Sequence, residues 1–206
     1  MNKAVRTSLV TAVIFTSASA LLVFAPTVLA QETPRADKHY IGLLATTYNH
    51  RTIGENIKES AWGTGGTLIV GGHITDRFHA ELRAGGGFKD AEVPDSDLSL
   101  AIDYYASWYI GMHYPITEYA NVYGQFGFSY IHGEGDISDP DNNRNRPFEE
   151  LDGEFPDSGF SVSWLAGLDF EVMDNTFLVF EGGKLFEDTG TDVNTFQFSG
   201  GLRYEF

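Results

Sequence analysis

The sequence predicts an all-β chain, an eight-stranded antiparallel transmembrane β-barrel with short turns at one end and long loops at the other. Three observations predict it. Apolar and polar residues alternate with a period of two along several segments, aromatic residues recur at a fixed spacing on the apolar faces, and short and long connections take turns. A period of two is the mark of a strand whose two faces meet different surroundings.

The N-terminus reads as a targeting segment. Lys3 and Arg6 form a basic start, Leu9 to Phe24 is apolar or small, and Val28-Leu29-Ala30 supplies small residues before a cleavage point. Residues 1–30 are therefore expected to be a signal peptide cut between Ala30 and Gln31, leaving residues 31–206 as the barrel domain. No cysteine occurs, which rules out disulfides, thiol chemistry and Cys-held metals. The leader carries two basic residues and no acidic ones, so its removal takes the formal charge from −16 to −18. So acidic a surface excludes a nucleic-acid partner, because phosphate binding needs cations.

The strands follow in order. Segments 40–48 and 63–74 look extended, but both of their faces carry apolar or Gly residues, so their parity stays open. From Phe78 to Phe88 the residues Phe78, Ala80, Leu82, Ala84, Gly86 and Phe88 share one face, opposite His79, Glu81, Arg83, Gly85 and Gly87. Over 100–114, Leu100, Ile102, Tyr104, Ala106, Trp108, Ile110, Met112 and Tyr114 are expected on a single apolar face. Val122 to Tyr130, Phe160 to Val172 and Phe196 to Phe206 alternate in the same way, and 177–186 is a strand of open parity.

Which face meets lipid is decided by polarity. The polar faces are rich in Gly and Ser with few charges, which suits a narrow polar interior better than a solvated exterior. The apolar faces carry aromatic pairs ten residues apart: Phe78 and Phe88, Tyr104 and Tyr114, Phe160 and Phe170, Phe196 and Phe206. At roughly 3.3 Å per residue and a tilt of about 40°, ten residues span about 25 Å, the height of an outer-membrane apolar band between aromatic girdles. The connections at 74–78, 116–122 and 172–177 are short. Those at about 49–61, 89–99, 132–158 and 187–194 are longer, so the short side is periplasmic and the long side extracellular.

With those strands in place, the chain from about His39 to Phe206 resembles the OmpA-type transmembrane domain and its small OmpX/Ail-like and opacity-type relatives. The most specific match is the end, Phe198-Ser-Gly-Gly-Leu202-Arg-Tyr204-Glu-Phe206. There Leu202, Tyr204 and the terminal Phe206 look like the assembly signal read by the barrel-assembly machinery. The resemblance implies the outer membrane of a Gram-negative bacterium, contact with its lipid and lipopolysaccharide, and a monomer. It covers the barrel alone, so nothing is carried over from the peptidoglycan-binding domain of full-length relatives. Members differ widely in role, so the family constrains function weakly.

Among the inward residues, Glu81, Arg83, Gln125 and Arg203 fall at similar depth, and Glu181 joins them if its strand faces inward. Acids and guanidiniums in a confined lumen are expected to neutralise one another, because unpaired charge there is costly. None of His79, His113 and His132 has the spacing of a metal or catalytic site. Ser129, His132 and Glu134 come nearest to the arrangement of lipid A deacylase barrels but lack that family's His-x-Ser-Asn spacing. In the acidic loop Gly133–Ser158, Asp136, Asp139 and Asp141 place oxygen ligands close together as a weak candidate for a hard cation, although the loop reads chiefly as an exposed, solvated segment. No cofactor is implied. The expected role is structural or surface-interaction with a plugged polar lumen. A narrow ion pore is the alternative, and a lipid-modifying enzyme comes third.

Overall fold

The computed structural model describes residues 34–53, 58–156 and 159–206. The expected signal peptide and its cleavage site, Ala30–Gln31, lie outside the described residues. Eight long strands build the wall: β1 (His39–Ile53), β2 (Glu59–His73), β3 (Phe78–Lys89), β5 (Leu98–Thr117), β6 (Ala120–Ile137), β8 (Phe160–Met173), β9 (Thr176–Glu187) and β10 (Asn194–Glu205). Two short ones, β4 (Ala91–Glu92) and β7 (Gly153–Phe155), add to the extracellular end. Each long strand pairs antiparallel with its neighbours in sequence, and β10 returns to pair with β1 from Tyr40↔Glu205 to Arg51↔Asn194. The sheet is thus closed. Closure removes the two edges whose free N–H and C=O groups could not be satisfied in hydrocarbon.

Short turns join β2 to β3, β5 to β6 and β8 to β9. In the last of these Asn175 takes φ 60°, a left-handed conformation that Asn tolerates in tight turns. At the same end Asp76 accepts the N–H groups of Arg35 and Ala36 at 2.9 and 3.0 Å. These bonds, that from Ala36 foremost, hold the Asp76 carboxyl below its usual range and tie the segment before β1 to the β2–β3 turn.

Outward residues form the apolar band. Phe78, Phe88, Tyr104, Tyr114, Phe160 and Phe206 are exposed, and Phe170 and Phe196 are half-buried on the same outer surface. The strands of open parity are now settled. Even-numbered residues of β1 and odd-numbered residues of β2 and β9 point inward, so Glu181 faces the lumen.

Three expectations are corrected. The single apolar face over 100–114 breaks at Asp103, where β5 carries one residue more than β6: Ile102 pairs with Gly133, and Tyr104 with His132. That β-bulge reverses the parity, so Leu100 and Ile102 turn inward and are buried while Tyr104 onward keeps the lipid face. The acidic loop is not simply solvated. Strand β6 runs on to Ile137, a 3₁₀ helix follows (Asn143–Leu151), and β7 pairs back onto β6. Phe148, Leu151 and Phe155 are buried there with Ile53, Ala61, Ala91, Val93, Leu98, Leu100, Ile137 and Val193, forming an apolar core above the barrel. The fully buried Asn145 stitches this cap: its side chain accepts the Asp97 N–H at 3.0 Å and donates to the Asp97 carboxylate at 3.1 Å and to the Asp139 carbonyl at 2.7 Å.

Thirdly, the lumen is not uniformly polar. Leu44, Ile69, Tyr109, Tyr123, Leu165, Phe177 and Val179 cluster inside it, and Tyr48, Ile102, Tyr105, Ile131, Leu185 and Phe186 form a second group nearer the cap. The inward glycines make room for the rings. A Cβ on Gly71, Gly85 or Gly167 would collide with Tyr40, Tyr105 or Tyr123 respectively.

The bulge is testable. Deleting Asp103 leaves Ile102 and Tyr104 consecutive, one inward and one outward, so β5 and β6 then pair one to one and no residue changes face. Deleting Ala106 instead, where the ladder carries no extra residue, forces the residues on one side of the gap onto the wrong surface. Each buried side chain of this size contributes about 1.5–3 kcal/mol, so the Ala106 deletion should refold in detergent with a clearly lower urea midpoint and the Asp103 deletion with one near that of the wild type. An equal loss in both would show that Asp103 is not what reverses the parity.

Candidate functional site

The polar side chains of the lumen fall into two tiers near the periplasmic end and a hydroxyl belt beyond them. In the deeper tier Arg83 on β3 is the centre. It donates to Glu81 two residues away at 2.5 Å, to both carboxylate oxygens of Glu181, and to Gln125 Oε1 at 3.2 Å. Three wall strands separate β3 from β9 in either direction round the barrel, so the Arg83–Glu181 pair spans the lumen. Tyr123 on β6 donates its hydroxyl to Glu181 at 2.7 Å, and the Arg83 guanidinium lies 5.2 Å from the Tyr109 ring centre. Arg83 and both carboxylates are buried. A planar guanidinium with several donors suits this role better than an ammonium would.

The second tier centres on Arg203 of β10. It donates to Asp169 of β8 at 2.9 Å and to Glu205 at 3.2 Å. Asn121 holds the other Asp169 oxygen at 2.6 Å, and His73 reaches Glu205 at 3.2 Å. Arg35, from the segment before β1, approaches Glu205 at 3.7 Å and lies over the Phe177 ring at 4.7 Å. Beyond the Arg83 tier, a belt of hydroxyls links neighbouring strands: Thr46 with Thr67 at 2.6 Å and Ser199 at 3.0 Å, and Ser129 with Ser107 at 2.7 Å and Ser163 at 2.9 Å.

The five residues singled out from the sequence are therefore all buried in the lumen, but they divide. Glu81, Arg83, Gln125 and Glu181 share one network. Arg203 belongs to another, with Asp169 and Glu205 as its partners and no contact to Glu81. Spacing along a strand gives the face but not the cross-lumen partner, which depends on the stagger of all eight strands. Asp169, Glu205 and Tyr123 were missed as site residues although their inward parity was readable. His73 was missed because the parity of its strand was not.

The other candidates disperse. Ser129 points inward, whereas His132 and Glu134 lie on the outer face of β6, so these three do not converge. Asp136, Asp139 and Asp141 are exposed, and among the described residues they form no group of converging ligands. A different group does form: a ring nitrogen from each of His73, His79 and His113 lies within 4.8 Å of the other two. At the C-terminus Leu202, Tyr204 and Phe206 face outward, and Phe206 exchanges both main-chain hydrogen bonds with His39, at 2.8 and 3.0 Å.

A closed antiparallel barrel with an apolar outer band and aromatic girdles, three short turns at one end and a folded cap at the other, is a small outer-membrane protein. Residues 15–206 match the family model described as outer membrane protein beta-barrel domain, and the chain belongs to that family. No curated protein matches it. Solved structures share the fold. Ail, the attachment invasion locus protein of Yersinia pestis, is 16% identical with a TM-score of 0.54, over 83% of this chain and 99% of that one. Neisserial surface protein A is 17% identical with a TM-score of 0.52, over 82% and 97%. OprG from Pseudomonas aeruginosa is 12% identical with a TM-score of 0.51, over 85% and 98%. The protein resides in the outer membrane of a Gram-negative bacterium.

The two networks predict distinct genetics. Arg203→Ala leaves Asp169 and Glu205 buried beside one another, and losing one partner of a buried pair costs about 3–5 kcal/mol. Adding Asp169→Asn should recover part of that loss in urea unfolding, whereas adding Glu81→Gln should recover none. Recovery by Glu81→Gln alone would place the partners wrongly.

Proposed function

We propose that the protein is a non-enzymatic surface component of the outer membrane, in which the barrel is an anchor with a closed lumen and the folded acidic cap is the face that meets other molecules. The observation that carries the closed lumen is the Arg83–Glu181 pair, held across the barrel and joined by Gln125 and Tyr123. An eight-stranded wall is just wide enough for side chains to fill, and buried Leu44, Ile69, Leu165 and Tyr109 take up the space beside the charges. A water-filled path would have to break contacts that no water replaces cheaply. The cap supports the surface role: a core of eleven buried apolar residues gives the exposed acids Glu134, Asp136, Glu149, Glu150 and Glu154 a fixed arrangement. Acids so placed repel lipopolysaccharide phosphates unless divalent ions bridge them.

In a planar bilayer the refolded wild type should give no large, steady current. Arg83→Ala, which leaves Glu81 and Glu181 without their shared cation, should give openings as water enters. Steady wild-type conductance would favour a pore.

Assembly belongs to the same reading. An amphipathic last strand ending in Leu202, Tyr204 and Phe206 can add edge-on to a sheet of the assembly machinery before it closes on β1. Deleting Phe206 should lower outer-membrane levels in cells far more than deleting the exposed loop residue Asp95. Equal levels would reduce Phe206 to a girdle residue.

A further inference from the structure

We propose that His73, His79 and His113 form a binding site for one divalent transition-metal ion of the Zn²⁺ class at the periplasmic end of the lumen. The strand register brings them together. His73 of β2 and His79 of β3 are direct cross-strand partners, and His79 pairs with Gly111 of β5, two residues from His113. All three point inward and are buried. A side chain at position 111 would collide with the His79 ring, so the glycine lets the rings gather there.

Two further observations point to a ligand. The Nδ1 atoms of His73, His79 and His113 are all buried without a hydrogen-bond partner. Three such orphans in one place are costly, since a buried polar group left unpaired loses its hydration for nothing. The Nε2 atoms of two of these rings are held from behind, His73 by Glu205 at 3.2 Å and His79 by Gln125 at 2.7 Å. An acceptor on the far nitrogen, such as Glu205 behind His73, fixes the ring orientation and tautomer of an imidazole that binds metal. Three imidazoles with nitrogen ligands favour Zn²⁺, Cu²⁺ or Ni²⁺ over Ca²⁺ or Mg²⁺.

Charge allows it. Arg35 and Arg203 are balanced by Asp169 and Glu205, and the tier beyond holds Glu81 and Glu181 against Arg83. The surroundings therefore carry one net negative charge before an ion arrives. Because Arg83 donates to Gln125 Oε1, the amide nitrogen of Gln125 faces His79. Coordination through Nδ1 moves the His79 proton to Nε2. The Gln125 amide then turns its oxygen to the ring and gives up its contact with Arg83, which keeps Glu81 and Glu181.

The test is titration of the refolded full barrel in detergent with Zn²⁺ by calorimetry, and with Co²⁺ by visible absorption. The wild type should bind one ion, show the absorption of nitrogen-ligated Co²⁺, and gain resistance to urea with Zn²⁺. His79→Gln and His113→Gln should each weaken binding by about tenfold or more, whereas His132→Gln, on the outer surface, should leave it unchanged. Heat-modifiable migration on gels verifies that each variant is folded, and the wild-type Co²⁺ spectrum stands if one is not. Absence of stoichiometric Zn²⁺ binding by the wild type at micromolar concentrations, or undiminished binding in the folded variants, would overturn the proposal.

Discussion

Hydrocarbon offers no hydrogen bonds, so a chain crossing it must satisfy every backbone N–H and C=O from within. Here that demand is met by closing β10 on β1, which leaves the wall no edge in the membrane. Once closure is required, each wall residue has only two places to point, and the side chain chooses between lipid and lumen. The outward set (Phe78, Leu82, Trp108, Phe126, Leu202 and their neighbours) is apolar because nothing else is tolerated there. The inward set is freer, and it is where this chain differs from a simple tube.

A narrow closed wall imposes a second condition, that inward side chains must fill the space without colliding across it. The chain meets it by setting rings against glycines, Tyr40 over Gly71 and Tyr123 over Gly167. These rings take volume, so the charges that remain inside have little water to share. Arg83 answers by reaching across to Glu181, and Arg203 by holding Asp169 and Glu205. Charge pairing is thus a consequence of filling, and the placement of Tyr123 between the tiers, bonded to Glu181, follows from the same packing.

What could be read from the sequence follows this hierarchy. The lipid face was legible at Phe78, Phe88, Tyr104 and Tyr114 because a strict polarity rule acts on every second residue. It failed at Leu100 and Ile102, where one extra residue, Asp103, reverses the parity without any break in the alternating pattern. The cap was hidden for a different reason: Phe148, Leu151 and Phe155 are scattered among acids, and their burial depends on Ile53, Ala91 and Val193 from three other connections. Glu81, Arg83 and Gln125 could be placed on the inner face, and Glu181 only on condition that its strand faced inward, but Arg203 could not be assigned its partners, because stagger is a property of the whole barrel. His73 sits just after Gly71 and Gly72, where neither face declares itself, and without it His79 and His113 looked unrelated.

The Arg83 tier and the histidine group are not independent, and the link is a single side chain. Gln125 has one oxygen and one NH₂, and Arg83 can use only the oxygen. That fixes the amide and leaves its N–H for His79, so the state of the imidazole and the hold on Arg83 are set by one torsion. An apolar residue at this position would free both neighbours, and a carboxylate would satisfy both by accepting twice. A neutral amide instead makes the two contacts consistent in only one of its two orientations. Whatever shifts the His79 proton must therefore be felt by Arg83, whose grip on Glu181 spans the lumen, so the histidine group and the cross-lumen pair form one connected element rather than two local ones.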